Sequence, residues 1–199
     1  MLKFEDLNNN IQAVIFELDD VLYPQKDYDL QVFYLFANFL EYLEQYPPAN
    51  DVIEFMSKRY EAHGSKDIFK ETSRTFGIDE KYEENFNSLY VNAKLPLKLL
   101  LYKEVLAFLQ ELVVNRKQIY IVTKGNPQKQ FNKIKHLEWN GLENYLKVYY
   151  VEEFNGKLNA CIAKVLEDNQ MEAQQVNFVG LAKHEEDVNL IGMGFIPID

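Results

Sequence analysis

The chain has 199 residues, of which 47% are hydrophobic and 26% charged, a balance that excludes disordered and fibrous proteins. Its 21 Lys and Arg against 31 Asp and Glu give a net charge of −10, which disfavours nucleic acids and anionic membranes as partners. The polar amino terminus and the lack of any run of roughly 20 apolar residues predict a cytoplasmic protein that does not span a membrane. The single cysteine, Cys161, is expected to be a small buried hydrophobe.

The first predicted element is a buried β-strand that follows Gln12. Its sequence, AVIFEL, is apolar until it reaches three acids, Glu17, Asp19 and Asp20. A buried strand that ends at a polar edge is typical of a parallel sheet. Because side chains alternate along a strand, Glu17 and Asp19 are expected to project the same way, and Asp20 elsewhere. Two carboxylates in one place indicate either Mg²⁺ binding or acid–base chemistry.

Helical periodicity follows, from about residue 28 to 95. Apolar residues recur at spacings of three and four between Leu30 and Leu40, and the first helix is expected to end at the Pro47-Pro48 pair. Three further helices are predicted at about 50–62, 66–76 and 79–94. The many Phe and Tyr residues of this block are expected to form its own core. The region therefore reads as a small all-helical block.

Helices and strands alternate after Pro96. The predicted elements are, in order, a helix at about 101–115, a strand at 118–123, a helix at 127–136, a strand at 147–151, a helix at 158–169, a strand at 176–180 and a helix from about 184. Parallel strands need helical crossovers of this length, so segments 1–26 and 97–199 predict a three-layer, Rossmann-like α/β core with a mostly parallel sheet. The block at 27–96 is then an insert after the first strand.

Two segments after the insert carry candidate anion-binding residues. Thr123, Lys124 and Gly125 lie between a buried strand and a helix that starts at Pro127, where a hydroxyl and free backbone N–H groups can hold a phosphate. The alternative is that Thr123 only ends the strand or caps the helix. Lys157 follows the next strand at the head of a helix, where it is either a phosphate-binding cation or a plain surface lysine.

The segment FELDDVLYP, residues 16 to 24, closely resembles the first motif of the haloacid dehalogenase-like (HAD) hydrolases, FDLDDTLYP in many members. The resemblance continues in order along nearly the whole chain, and the insert is similar to the helical cap of one branch of that superfamily. It implies phosphoryl transfer through an aspartyl-phosphate, with Mg²⁺ as cofactor. Glu17 matches the nucleophile, and Asp19 matches the acid–base residue, whose carbonyl binds Mg²⁺. Thr123 and Lys157 match the residues that bind and neutralise the phosphoryl group.

Two positions depart from the family pattern. The nucleophile position holds Glu17, whose additional methylene displaces the carboxylate by roughly 1.5 Å, and a misplacement of about 1 Å can cost about two orders of magnitude in rate. Aligned on Gly180 and Gly194, the fourth motif places Leu181 at the principal metal-binding acid and Glu186 at the second. Leucine cannot ligate a hard cation. The possible metal ligands are then Glu17, Asp19 and Glu186, while His184 is expected to be an ordinary surface histidine.

The losses fall on the nucleophile and the metal site, whereas Asp19, Thr123 and Lys157 are retained. This pattern predicts a HAD-like protein with impaired or lost phosphatase activity that binds phosphate or a small phosphorylated metabolite through Thr123, Lys124, Gly125 and Lys157. One alternative is an active Mg²⁺-dependent phosphatase that uses Glu17 as nucleophile or base. Another is a non-catalytic interaction protein. Dehalogenation ranks last because it also needs the missing Asp nucleophile.

Overall fold

A five-stranded parallel sheet carries the α/β part of the protein. In the computed structural model, which describes residues 2–7 and 10–198, its strands are β1 (Ala13–Glu17), β3 (Gln118–Thr123), β5 (Leu146–Tyr150), β6 (Val176–Leu181) and β7 (Gly194–Ile198). They lie in the order β5–β3–β1–β6–β7. All four pairings are parallel, so the carboxyl ends of the strands share one edge of the sheet. The α/β fold with a mostly parallel sheet is confirmed.

Strand β1 is the centre of the sheet, and its sequence shows why. Ala13 to Phe16 are all fully buried, as expected for a strand covered on both faces. Its register places Glu17 opposite Val122 of β3, and Phe16 opposite Val179 of β6. The acid that ends β1 therefore lies beside the ends of both neighbouring strands.

The described part of the chain contains eight α-helices. They are α1 (Gln25–Glu44), α2 (Ala49–His63), α3 (Ile68–Phe76), α4 (Glu83–Asn92), α5 (Lys103–Val114), α6 (Pro127–His136), α7 (Leu158–Asp168) and α8 (Glu185–Asn189). Two short strands, β2 (Leu99–Leu100) and β4 (Leu137–Glu138), form a separate small sheet. No helix in the described part of the chain combines the length and the apolar character needed to cross a bilayer.

The chain divides into two compact units. The first comprises residues 1–24, 100–130 and 137–199, and the second comprises residues 25–99 and 131–136. The longer segment of the second unit, 25–99, begins two residues before the predicted insert, 27–96, and ends three residues after it. The unit also includes the last six residues of α6. That helix begins in the α/β unit and ends in the helical one.

Aromatic side chains form the core of the helical unit, as its composition predicts. The ring of Phe36 meets Phe69 and Phe86 with centroids 5.8 and 4.9 Å apart, both edge-on. Phe86 also meets Tyr90 at 5.1 Å. A buried amide adds polar contacts inside this unit: Asn132 Nδ2 donates to the hydroxyl of Tyr28 at 3.3 Å and to the carbonyl of Ala93 at 2.9 Å.

The last part of the chain, after β6, differs from the structure expected from the sequence. The helix predicted from about residue 184 is a 3₁₀ turn, Ala182–His184, followed by the short helix α8. Strand β7, which was not predicted from the sequence, then pairs with β6. Its sequence, GFIPI, contains Pro197, which lacks an N–H group and argues against a central strand. An edge position tolerates that proline, because a residue there has a neighbouring strand on one side only.

The thiol of Cys161 lies fully buried on α7, as expected. Burial, with smaller contributions from the charges of Glu153 and Glu152, raises its pKa to about 12. Since only the thiolate reacts, the native protein should resist a disulfide-exchange reagent such as dithiobis(nitrobenzoate) at pH 8, where the thiol stays protonated. Absorbance of the released thionitrobenzoate measures the reaction. One equivalent should appear in guanidinium, and equally fast labelling without denaturant would contradict the prediction.

Candidate active site

The predicted site residues gather at the carboxyl-terminal edge of the sheet in the α/β unit. Glu17 ends β1, Thr123 ends β3 and Leu181 ends β6. These three strands are neighbours and parallel, so their ends converge although the residues are up to 164 positions apart in sequence. The topology thus produces the arrangement that the order of the sequence motifs implies.

The carboxylate oxygens of Glu17 contact the last residue of β6 and the turn that follows it. The N–H group of Leu181 donates to Oε2 at 2.9 Å, and Nδ1 of His184 lies 2.5 Å from Oε1. Nδ1 has no hydrogen-bond partner among the described residues, and the contact is an ion pair only if the imidazole carries a proton on both nitrogens. His184, expected to be an ordinary surface histidine, is half-buried against the acid at the nucleophile position.

Gly180 makes room for this arrangement. A Cβ atom at that position would lie 2.6 Å from Cε1 of Phe178 and 3.0 Å from Oε2 of Glu17. Both distances are shorter than an ordinary van der Waals contact. The carboxylate of Glu17 therefore approaches the end of β6 closely only because residue 180 has no side chain.

Asp19 has a separate set of partners. The hydroxyl of Tyr23 donates to Oδ1 at 2.9 Å, and Nε2 of Gln130 donates to Oδ2 at 2.8 Å. The two acids of the first motif therefore contact different segments of the chain. Tyr23 belongs to the same tight loop as Asp19, whereas Gln130 is supplied by α6.

Gln130 joins the first and second motifs through one buried amide. Its side chain is 2% exposed, and Nε2 also lies 2.7 Å from both Thr123 Oγ1 and the carbonyl oxygen of Lys124. Because a carbonyl and a carboxylate can only accept, the amide nitrogen has to face them. Two hydrogens then serve three acceptors. Gln130 could not be predicted from the sequence, since nothing in a Lys-Gln-Phe tripeptide marks a buried donor.

The second motif has two hydrogen-bond donors for an anion, the hydroxyl of Thr123 and the N–H group of Gly125, and the second is already bonded to a side chain of the protein. Thr123 is buried at the end of β3, and a hydroxyl that accepts from Gln130 still has its own hydrogen to donate. The N–H group of Gly125, in contrast, donates to Oε1 of Glu152 at 2.8 Å. Glu152, which was also not predicted from the sequence, lies in the 3₁₀ turn Val151–Phe154 after β5.

The lysines of the second and third motifs are exposed. Lys124 follows β3, and Lys157 directly precedes α7. Neither ammonium group forms an ion pair with the described residues. Both charges are therefore open to solvent and to a soluble anion.

The residues present do not fit the Mg²⁺ ion that the resemblance implies. Glu186 is exposed on α8, and the described residues contain no group of three or more His, Cys, Asp or Glu side chains able to hold a metal. Leu181 is apolar where the family has an acid. The oxygens of Glu17 already contact an N–H group and an imidazole nitrogen, whereas a hard cation needs several free oxygen ligands.

Comparison with known proteins identifies the family. The chain matches the haloacid dehalogenase-like hydrolases over residues 14–187. No protein of curated function matches its sequence. Solved structures, however, resemble it over nearly its whole length.

Three of these structures show the range of relatives. A protein from Thermotoga maritima, provisionally described as a β-phosphoglucomutase, is 16% identical with a TM-score of 0.67, covering 95% of this chain and 86% of its own. A HAD phosphatase from Thermococcus onnurineus is 20% identical, with a TM-score of 0.57 and coverages of 95% and 86%. An L-2-haloacid dehalogenase is 10% identical, with a TM-score of 0.58 and coverages of 93% and 82%.

These neighbours are described as different enzymes, so the shared architecture does not choose among their reactions. What they have in common is the fold, and the family match covers the segment from β1 to α8 that contains every candidate site residue. The chain belongs to the haloacid dehalogenase-like hydrolase family.

Proposed function

We propose that this HAD-family protein has impaired or lost phosphohydrolase activity and binds phosphate or a small phosphorylated metabolite in the cytoplasm. The observation that carries the first part is the state of Glu17. Its two oxygens contact the N–H group of Leu181 and the imidazole of His184, at 2.9 and 2.5 Å. The carboxylate at the nucleophile position is thus engaged by the protein itself.

Those contacts oppose nucleophilic attack for two reasons. An attacking oxygen has to lie about 3 to 3.5 Å from phosphorus with a lone pair directed at it, and Glu17 carries a methylene more than the family's aspartate. The hydrogen bond from the Leu181 N–H group also lowers the nucleophilicity of the carboxylate. The apolar side chain of Leu181 removes, in addition, the acid that would help a divalent cation to neutralise the phosphoryl group.

The second part of the proposal rests on the groups that remain. Thr123 keeps a hydroxyl hydrogen to donate, and the charges of Lys124 and Lys157 are exposed. A hydroxyl and ammonium groups near a helix start suit a phosphate monoester. Asp19, hydrogen-bonded to Tyr23 and Gln130, then acts as a fixed acceptor for a ligand hydroxyl rather than as an acid–base catalyst.

The direct test is turnover of p-nitrophenyl phosphate and a panel of phosphorylated metabolites by wild type and Glu17→Ala, with and without Mg²⁺. We expect the wild type to show no Mg²⁺-dependent turnover above Glu17→Ala, because Glu17 is not a working nucleophile. Mg²⁺-dependent turnover that disappears in Glu17→Ala would overturn the proposal in favour of an active phosphatase. Silence in the turnover assay together with no binding of any phosphorylated compound would favour an interaction protein.

A further inference from the structure

A carboxylate of the protein itself occupies part of the second motif. Oε1 of Glu152 accepts the N–H hydrogen bond of Gly125 at 2.8 Å, two residues before α6 begins. A bond from a backbone amide to a carboxylate is charge-assisted and stronger than a neutral one. The loop after β3 therefore binds an anion in this structure, and the anion is a side chain from the loop after β5.

We infer that Glu152 limits the affinity of the site for phosphate, because it competes with phosphate for the amide of Gly125. The inference rests on the proposed phosphate binding and names the residue that limits it. A phosphate oxygen and the Glu152 carboxylate are both anionic acceptors of similar reach, and one N–H group serves one of them at a time. Binding of a phosphate there requires the carboxylate to leave.

Among the described residues, only one of the two carboxylate oxygens of Glu152 accepts a hydrogen bond. Its second oxygen, Oε2, is buried and has no hydrogen-bond partner among the described residues. A buried carboxylate oxygen without a donor costs free energy, which offsets part of what the Gly125 bond contributes. The side chain is thus placed at the loop without being fixed there by a second donor.

Charge adds to this competition. A phosphate at the loop would face the carboxylate of Glu152 at close range, and Asp19 is joined to the same loop through the amide of Gln130. The attraction of Lys124 and Lys157 is weaker, since both are exposed and screened by solvent. Glu152 consequently lowers phosphate affinity both by occupying the donor and by repulsion.

A purely structural role for Glu152 leads to the opposite expectation. If its carboxylate mainly holds the Thr123–Gly125 loop in a binding conformation, removing it loosens the loop and weakens binding. Glu153 offers a matched control, because it is the adjacent residue, has the same charge and is exposed. Glu152→Gln keeps an oxygen that can accept from Gly125 but removes the charge, whereas Glu152→Ala removes both.

The experiment is titration calorimetry of inorganic phosphate into wild type, Glu152→Ala, Glu152→Gln and Glu153→Ala, with circular dichroism to verify folding. We expect Glu152→Ala to bind on the order of tenfold to a hundredfold more tightly than wild type, Glu152→Gln to lie between them, and Glu153→Ala to stay within about twofold of wild type. Equal or weaker binding by both Glu152 variants would overturn the inference, as would an equal gain in Glu153→Ala or no binding by any variant. Turnover by the wild type would refute the impaired activity but leave this order of affinities unchanged.

Discussion

Replacing Glu17 and Leu181 together by aspartate should produce Mg²⁺-dependent hydrolysis of p-nitrophenyl phosphate at least about 100-fold faster than wild type. The shorter side chain at position 17 withdraws the carboxylate from the Leu181 N–H group and from His184, which now contact it at 2.9 and 2.5 Å. The aspartate at position 181 restores an oxygen ligand where the wild type has an isobutyl group. The two aspartates then both offer oxygen ligands to a cation, which Glu17 and Leu181 together do not. Release of p-nitrophenol measures the gain.

The single variants and Asp19→Asn serve as controls for this repair. Glu17→Asp or Leu181→Asp alone should recover much less, because a nucleophile without a metal and a metal without a nucleophile each lack half of the site. Asp19→Asn in the repaired background should abolish the gain, since Asp19 would then act as the acid–base group. A folded double variant that stays silent would show that the defect extends beyond these two positions, with the occupied amide of Gly125 as the next candidate.

Truncation of Phe16 to alanine should reduce the free energy of unfolding of the α/β unit by about 3 to 5 kcal/mol. The residue is fully buried in the central strand β1, and its ring meets that of Phe108 with centroids 6.0 Å apart, edge-on. Because β1 is hydrogen-bonded to a strand on each side, the sheet cannot bend easily to fill the space that the ring leaves. Urea unfolding followed by fluorescence of Trp139, the single and buried tryptophan of this unit, measures the loss.

Tyr145→Ala is the matched control for the core substitution. It also removes an aromatic ring from the α/β unit, but the side chain is 58% exposed. A change of about 0.5 kcal/mol or less is expected, as for surface substitutions in general. Losses of similar size for the two variants would contradict the placement of Phe16 at the centre of the core.

Local patterns of the sequence are sufficient for much of the fold. The strand predicted at 118–123 and the helix predicted at 127–136 have the bounds of β3 and α6. Both have clear limits, because an apolar β-rich run ends at a hydroxyl and the helix starts at a proline. Strand β7 lacks such a signal. Its five residues include a glycine and a proline, which both disfavour a strand. It is a strand because it pairs with β6, which is a non-local interaction.

The site shows a similar division. Strand ends are visible in sequence, so Glu17, Asp19 and Thr123 could be located before the structure was known. Their partners could not. Gln130, Glu152 and His184 reach the site through side-chain rotamers and the approach of separate loops, and their immediate sequence neighbours do not distinguish them from solvent-facing polar residues.

The composition of the helical unit from two chain segments limits how it can be transferred to another protein, in evolution or in the laboratory. Its last six residues come from the end of α6, more than thirty positions after residue 99, and Asn132 among them bonds to Tyr28 and Ala93. A polypeptide of residues 25–99 alone would leave that hydroxyl and that carbonyl without the amide. Transplanting the insert as one contiguous cassette would therefore be incomplete. A functional chimaera has to take the carboxyl-terminal half of α6 from the same parent.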